Sequence, residues 1–245
     1  MPKFFVSQEQ VKNDEIIIIG TDVNHIRNVL RLKLDDEIEI CLKETNNTYI
    51  CTISKYLEKE VLCKIKEEKL NSTEPKVYIH LFQGLPKADK MEYIIEKGTE
   101  IGISEITPVY LNRCIVKLDD KKEKNKNERW RKIAEVAAKQ SGRDFIPIIN
   151  NLININNIFE KIKDYDIVIL AYEKEKNLKL KEVLRNYKNV RKVAIVVGPE
   201  GGLEEAEVDY LKSLEAKVVT LGNRILRTET APIVIASNII YELED

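Results

Sequence analysis

The sequence predicts an α/β protein in two parts, a small β-barrel followed by a doubly wound parallel sheet. Two observations carry this. Before about residue 70, short strand-like runs alternate apolar with polar residues, whereas after residue 76 strands and helices take turns. Late in the chain, two loops of unusual composition each stand directly behind a short apolar run of the kind that forms a buried parallel strand.

In the first part the predicted strands are Ile16-Ile17-Ile18-Ile19, Glu37-Ile38-Glu39-Ile40-Cys41, Thr48-Tyr49-Ile50-Cys51-Thr52-Ile53 and Val61-Leu62-Cys63-Lys64-Ile65. A short helix is expected between them, from Val23 to Leu30. Asn71-Ser72-Thr73-Glu74-Pro75 has the composition of a linker. Beyond it, Val77 to Phe82 predicts a strand. Met91, Ile94, Ile95 and Ile101 then share one face of a helix that Gly102 stops. Ile106 to Tyr110 predicts the next strand, and a second helix should turn Trp130, Ile133, Ala134 and Ala137 inward. Strands follow at Ile146 to Ile149 and Asp166 to Ala171. The final segment, Pro232 to Ile240, is apolar on nearly every side, with Thr230 as its N-cap, and must be buried by more than its own sheet.

Composition sets outer bounds. A chain of 245 residues with 43% hydrophobic content has ample material for a packed core. Cys41, Cys51, Cys63 and Cys114 show no close pair, and with only His25 and His80 available no zinc spacing exists, so no metal is expected. The cysteines read as reduced thiols of a cytoplasmic protein. No stretch has the length or apolarity of a membrane span, and the start has no signal-peptide run. Net charge is −1, yet between Arg113 and Arg143 eleven Lys/Arg stand against five acids. That excess suits a polyanion better than the total does. Within it, Lys121 to Asn127 reads as a solvated flexible loop.

The two late loops carry the chemistry. Val193-Ala194-Ile195-Val196-Val197 leads into Gly198-Pro199-Glu200-Gly201-Gly202, and Lys217-Val218-Val219-Thr220-Leu221 leads into Gly222-Asn223-Arg224-Ile225-Leu226-Arg227-Thr228-Glu229-Thr230-Ala231. Open α/β sheets bind ligands beyond the carboxyl ends of their strands. The first loop has neither the ending of a P-loop nor the spacing of a dinucleotide fingerprint. Glu204, Glu205 and Glu207 occupy the first turn of the helix behind it, where they would repel a phosphate. A nucleoside without phosphate, carrying positive charge, fits better, and S-adenosyl-L-methionine is such a ligand. An ordinary turn capped by an acidic helix start explains this segment equally well.

Taken together, these two loops resemble the signature of the RsmE-type 16S rRNA uridine-N3 methyltransferases of the SPOUT superfamily. His25-Ile26-Arg27-Asn28-Val29-Leu30-Arg31, Lys97-Gly98-Thr99-Glu100-Ile101-Gly102, Arg113-Cys114, Glu128-Arg129-Trp130 and Gln140-Ser141-Gly142-Arg143 extend the resemblance over nearly the whole chain. It implies a PUA-like β-barrel RNA-binding domain over residues 1–70 and a trefoil-knotted SPOUT methyltransferase domain over 74–245. It also implies a homodimer, and a uridine of 16S rRNA in the small ribosomal subunit as substrate. Main-chain contacts to S-adenosyl-L-methionine are implied at Ala171, Gly198, Gly202, Leu221, Gly222, Ile225 and Leu226. RNA phosphates are assigned to Arg27, Arg31, Arg113 and Arg143, while His25 is expected to be a satisfied structural histidine.

Methylation at uracil N3 needs a cation beside the base as its proton leaves, and a group to accept or orient. Arg227 and Glu229 are the candidates, with an internal Arg227–Glu229 ion pair that merely shapes the loop as the alternative. Two other functions stay open: an NAD-dependent oxidoreductase, which needs a fingerprint this chain lacks, and a non-catalytic RNA-binding protein on the same fold.

Overall fold

The computed structural model describes residues 1–69, 73–187 and 189–244. Leu70 and the Asn71 and Ser72 of the expected linker lie outside the described residues. The chain forms two compact units, one of residues 1–74 with 138–146 and the other of 75–137 with 147–245. The return of 138–146 to the first unit is not evident in the sequence.

The first unit is built on β1 (Lys3–Val6), β2 (Val11–Lys12), β3 (Glu15–Ile19), α1 (Thr21–Asn24), β4 (Glu37–Leu42), β5 (Thr48–Tyr56) and β6 (Glu60–Lys69). Its six strands form one sheet in the order β1-β4-β5-β6-β3-β2, antiparallel except where β1 runs alongside β4. Alternation decides which side chains enter. Ile16 and Ile18 of β3 are buried while Ile19 is exposed, and Phe4, Ile38, Ile40, Cys51, Ile53 and Val61 join them in one core. Register breaks between β5 and β6 at Ile50/Cys51 and Ile53/Lys55 bend the strands. The helix expected over Val23 to Leu30 is instead the short α1 followed by a π turn at His25–Val29. Segment 138–146 contributes Ala138 and Ile146 to a small cluster with Phe5 and Cys41. It also contributes Asp144, a buried carboxylate that accepts from Lys3 at 2.6 Å, Thr48 at 3.0 Å and the Thr73 amide at 2.8 Å.

The second unit alternates strand and helix: β7 (Tyr78–Gly84), α2 (Lys90–Ile101), β8 (Glu105–Tyr110), α3 (Asp120–Ser141), β9 (Ile148–Ile149), β10 (Ile153–Asn154), α4 (Ile158–Ile162), β11 (Ile167–Ala171), α5 (Leu180–Asn186), β12 (Lys192–Val197), α6 (Glu205–Ser213), β13 (Lys217–Val219) and α7 (Ala231–Leu243). Every pairing in its sheet is parallel, in the order β10-β8-β7-β12-β11-β13, with β9 also on β8. Strands β7 and β12 are buried along almost their whole length, as strands covered on both faces must be. Helix α2 ends at Gly102, whose φ of 120° no side chain tolerates well.

Lys121 to Asn127 is the first half of α3 rather than a flexible loop. Asp119 caps that helix by accepting from the Lys122 amide at 2.8 Å, and Asp120 and Glu123 suit its positive end. A lysine run read without its cap hides this helix start. The strand expected over Ile146 to Ile149 shortens to β9. Ile133 is half-buried, whereas Trp130, Ala134 and Ala137 are buried as expected. Helix α7 packs against α2, α5 and β12 through Ala231, Pro232, Ile235, Ala236 and Ile239. Among the described residues, no helix is long and apolar enough to cross a membrane, no His/Cys/Asp/Glu group could hold a metal, and the four cysteines are free thiols.

Candidate active site

A cleft of about 480 Å³ opens where β11, β12 and β13, three neighbouring parallel strands, release their chains. Its size suits a nucleoside-sized ligand. Ala171 to Glu173 leave β11, Val197 to Gly202 leave β12, and Thr220 to Thr228 leave β13; together with Lys90 and Ala231 they form its wall. All seven positions expected to contact the cofactor through their main chain therefore line one cleft: Ala171, Gly198, Gly202, Leu221, Gly222, Ile225 and Leu226.

Glycine is required here by conformation and by space. Gly202 has φ 70° and Gly222 φ 112°, both in the left-handed region. A Cβ on Gly198 would stand 2.8 Å from Leu203 Cδ1 and 3.1 Å from the Gly202 carbonyl carbon, so the loop closes on its own backbone. Behind the loop, the N-terminus of α6 is already satisfied. Glu204 and Glu207 form a reciprocal capping box, and the Glu204 amide donates to Glu207 at 2.8 Å. Asn112 adds its amide to Glu207 at 2.7 Å. The start of α6 is thus taken by its own carboxylates rather than offered to a phosphate.

The loop after β13 is tied to the loop after β12 by a buried polar chain. The Thr228 hydroxyl donates to the Gly198 carbonyl at 2.7 Å, and the Gln83 side-chain amide donates to Thr228 at 3.0 Å. Gln83 is fully buried at the end of β7, and its Oε1 has no partner among the described residues. Gly84 beside it has no room for a side chain: a Cβ would lie 2.6 Å from Pro199 Cδ and 2.7 Å from the Pro199 nitrogen. The sequence reading missed this contribution from β7. The available signal was a glutamine and a glycine closing an apolar strand.

Arg227 and Glu229 are brought near each other but hardly paired. Arg227 Nη1 lies 4.0 Å from Glu229, and the arginine side chain is 81% exposed. Glu229 has a nearer partner in Lys90, whose Nζ lies 3.1 Å from its Oε2, and it is Lys90, not Glu229, that lines the cleft. Lys90 also lies 3.0 Å from Glu200. Its pKa is raised, chiefly by the hydrogen bond to Glu200, so it stays protonated at neutral pH. Glu200 accepts in addition from the Lys87 amide at 3.1 Å, and its pKa is lowered because these donors outweigh the effect of its burial. Lys90 was absent from the expected site because nothing marks it among the 40 Lys/Arg of the chain.

The four arginines expected at RNA separate. Arg113 is exposed and donates to the Gly201 carbonyl at 3.0 Å, at the edge of the glycine loop. Arg31 is exposed with φ 54°. Arg27 is occupied within the first unit: it donates to the carbonyls of Leu57 and Glu58 and lies 5.0 Å above the Tyr56 ring. Arg143 is buried and bonded through Nε to Glu74 at 3.1 Å. Both of these read as structural in this conformation. His25 packs edge-on to Phe4 at 6.1 Å.

A parallel α/β sheet with its cleft at the strand ends, in a chain that also carries a small β unit, defines the class of a two-unit α/β protein that binds its ligand beyond the strand ends. Comparison with known proteins is specific. The RNA methyltransferase domain family matches residues 73–240, and an RNA methyltransferase PUA domain matches 18–67; the chain belongs to this RNA methyltransferase family. It is 36% identical to the ribosomal RNA small subunit methyltransferase E of Bacillus subtilis, covering all of this chain and 98% of that one. The protein of the same name from Mesomycoplasma hyopneumoniae is 32% identical over 99% of this chain and 100% of its own. Among solved structures, the Neisseria gonorrhoeae ribosomal RNA small subunit methyltransferase E bound to S-adenosyl methionine matches with a TM-score of 0.87 and 26% identity. It covers 99% of this chain and 98% of that one.

Proposed function

We propose that this chain uses S-adenosyl-L-methionine to methylate N3 of a uridine in 16S rRNA of the small ribosomal subunit. The observation that carries the reading is the convergence of the glycine loop and the Arg227-Thr228-Glu229-Thr230 loop on one cleft, in a member of an RNA methyltransferase family. The residues present fit the cofactor. The glycines bring backbone to the wall where a Cβ would intrude or strain, Glu173 and Glu200 supply negative charge, and Arg224 and Arg227 supply positive charge. A zwitterionic nucleoside with one further cation finds both signs there.

Bound in the cleft, the cofactor supplies an electrophilic methyl group on a sulfonium. The protein's task is the base. Uracil N3 attacks only once its proton has left, so the anion that develops on the ring requires a nearby cation, and we assign Arg227 to it. Glu229 is the base or the orienting group. Holding both reactants in line supplies much of the remaining rate.

Binding of rRNA is assigned to two surfaces. In the second unit they are Arg113 and the exposed Lys121, Lys122, Lys124, Arg129, Arg131 and Lys132 of α3; in the first unit, Arg31. Residues 1–70 act as an RNA-binding domain and 74–245 as a trefoil-knotted catalytic domain. The protein works as a cytoplasmic homodimer through α7, a mostly apolar helix whose Tyr241 is 82% exposed. Calorimetry with S-adenosyl-L-methionine, followed by transfer of a labelled methyl group to unmodified small subunits and mapping of the product base, tests the reading. Cofactor binding without any transfer would favour a non-catalytic RNA-binding protein.

A further inference from the structure

Lys90 stands at the first position of α2, behind the loop that leaves β7, and reaches the cleft beside the two loops already described. Its ammonium spans carboxylates from both: Glu200 of the glycine loop at 3.0 Å and Glu229 at 3.1 Å. Its side chain is 29% exposed, against 81% for Arg227. Both contacts are ion pairs, and they hold the ammonium between the two loops. Lys90 itself lines the cleft, so this fixed charge is presented to whatever binds there.

Lys90, Arg224 and Arg227 all bring positive charge to the cleft, and Lys90 differs in kind from Arg227. Arg227 is solvated and must give up water and side-chain freedom to act. Lys90 is fixed in place before any ligand arrives, and fixed charge aimed at a developing anion is the more effective arrangement. Glu229 does not line the wall, and its nearest cation is Lys90.

Resting on the proposed methyl transfer, we infer that Lys90 is a second catalytic cation, which donates to a uracil carbonyl flanking N3. Glu200 and Glu229 are then positioning residues that hold its ammonium in place. Glu229 acts through Lys90 rather than as a proton acceptor.

The test is single-turnover methyl transfer to small subunits at saturating cofactor, with cofactor affinity measured alongside for each variant of the full chain. Lys90→Met should lower the single-turnover rate by about two orders of magnitude, the loss typical for a transition-state electrostatic partner, while cofactor affinity changes less than threefold or so. Lys90→Arg should restore part of the rate. Glu229→Gln should cost little when added to Lys90→Met, because its effect runs through the lysine. A Lys90→Met enzyme with the normal rate would overturn the inference, and so would equal losses in rate and cofactor affinity, which mark a residue that only builds the cleft. Additive losses for the double change would return Glu229 to the role of base. A wild-type chain that binds cofactor and transfers no methyl group would overturn the reading beneath and this inference with it, a result separate from the others because it appears before any substitution.

Discussion

The hydroxyl of Thr228 donates to the carbonyl of Gly198 at 2.7 Å, joining the loop after β13 to the loop after β12 across 30 residues of sequence. Both groups are shielded from water, and the Gln83 amide completes the chain at 3.0 Å. Cleft geometry therefore depends on Thr228 and Gln83, two residues that were not among those expected to touch a ligand.

Thr228→Val keeps the shape and removes the hydroxyl that donates to Gly198 and accepts from Gln83. It should leave the Gly198 carbonyl with only the longer, 3.4 Å bond from the Gln83 amide, at a cost of about 1 kcal/mol. Urea unfolding should show the loss, and calorimetry a weaker cofactor complex. Unchanged values in both would mean that the loops are held by packing alone.

For Gly202 the conformation matters more than the collision. The nearest atoms to a Cβ would be those of the Glu173 carboxylate, with Oε1 at 2.6 Å, and that group can swing away. At φ 70°, however, a β-branched residue is strongly strained. Gly202→Val should rearrange the loop and weaken cofactor binding by tenfold or more, on the order of the 1–3 kcal/mol such strain costs, while the chain stays folded. Normal affinity by calorimetry would show that the loop is only a turn.

At Arg227 the question is charge against shape. Arg227→Ala should lose about two orders of magnitude in single-turnover rate and Arg227→Lys clearly less, if the positive charge stabilises the uracil anion. With 4.0 Å between Arg227 and Glu229, the internal ion pair is too loose to make the arginine a brace for the loop. A normal rate in Arg227→Ala would remove it from catalysis.

His80 predicts a pH dependence of stability. Burial drives its pKa from 6.5 down to about 4, against the opposing pull of Glu105 at 3.4 Å, and its two nitrogens bond Tyr165 and Thr107 at 2.7 Å each. Because the folded-state pKa is lowered, the unfolded chain takes up a proton that the native ring refuses. The stability tied to neutral His80 is thus present above pH 6.5 and is lost as pH falls toward 4, at up to about 1.4 kcal/mol per pH unit. His80→Gln should flatten that slope when urea midpoints at pH 7 and pH 5 are compared. An identical slope would assign the acid sensitivity elsewhere.

Much of the protein was settled by sequence alone. Alternating runs such as Glu37 to Cys41 and unbroken apolar runs such as Val193 to Val197 specify strands of different burial, because a pleated strand shows its neighbours to opposite faces. The two late loops could be placed at strand ends for the same reason, and their glycines could be linked to close backbone approach. Helix starts were less legible: the lysine-rich half of α3 depends on a single cap at Asp119 and on packing around Trp130.

Only the tertiary structure decided which charges face a ligand and which hold the chain together. Arg113 and Arg143 are the same residue type in the same basic stretch, yet one is exposed and the other is buried against Glu74, 69 positions away. Lys90 joins Glu200 and Glu229 from a helix more than a hundred residues earlier. Hydrophobic periodicity is a local property that survives in the sequence, whereas ion pairs form between groups that only the folded sheet brings within a few ångströms, so their partners cannot be read from spacing.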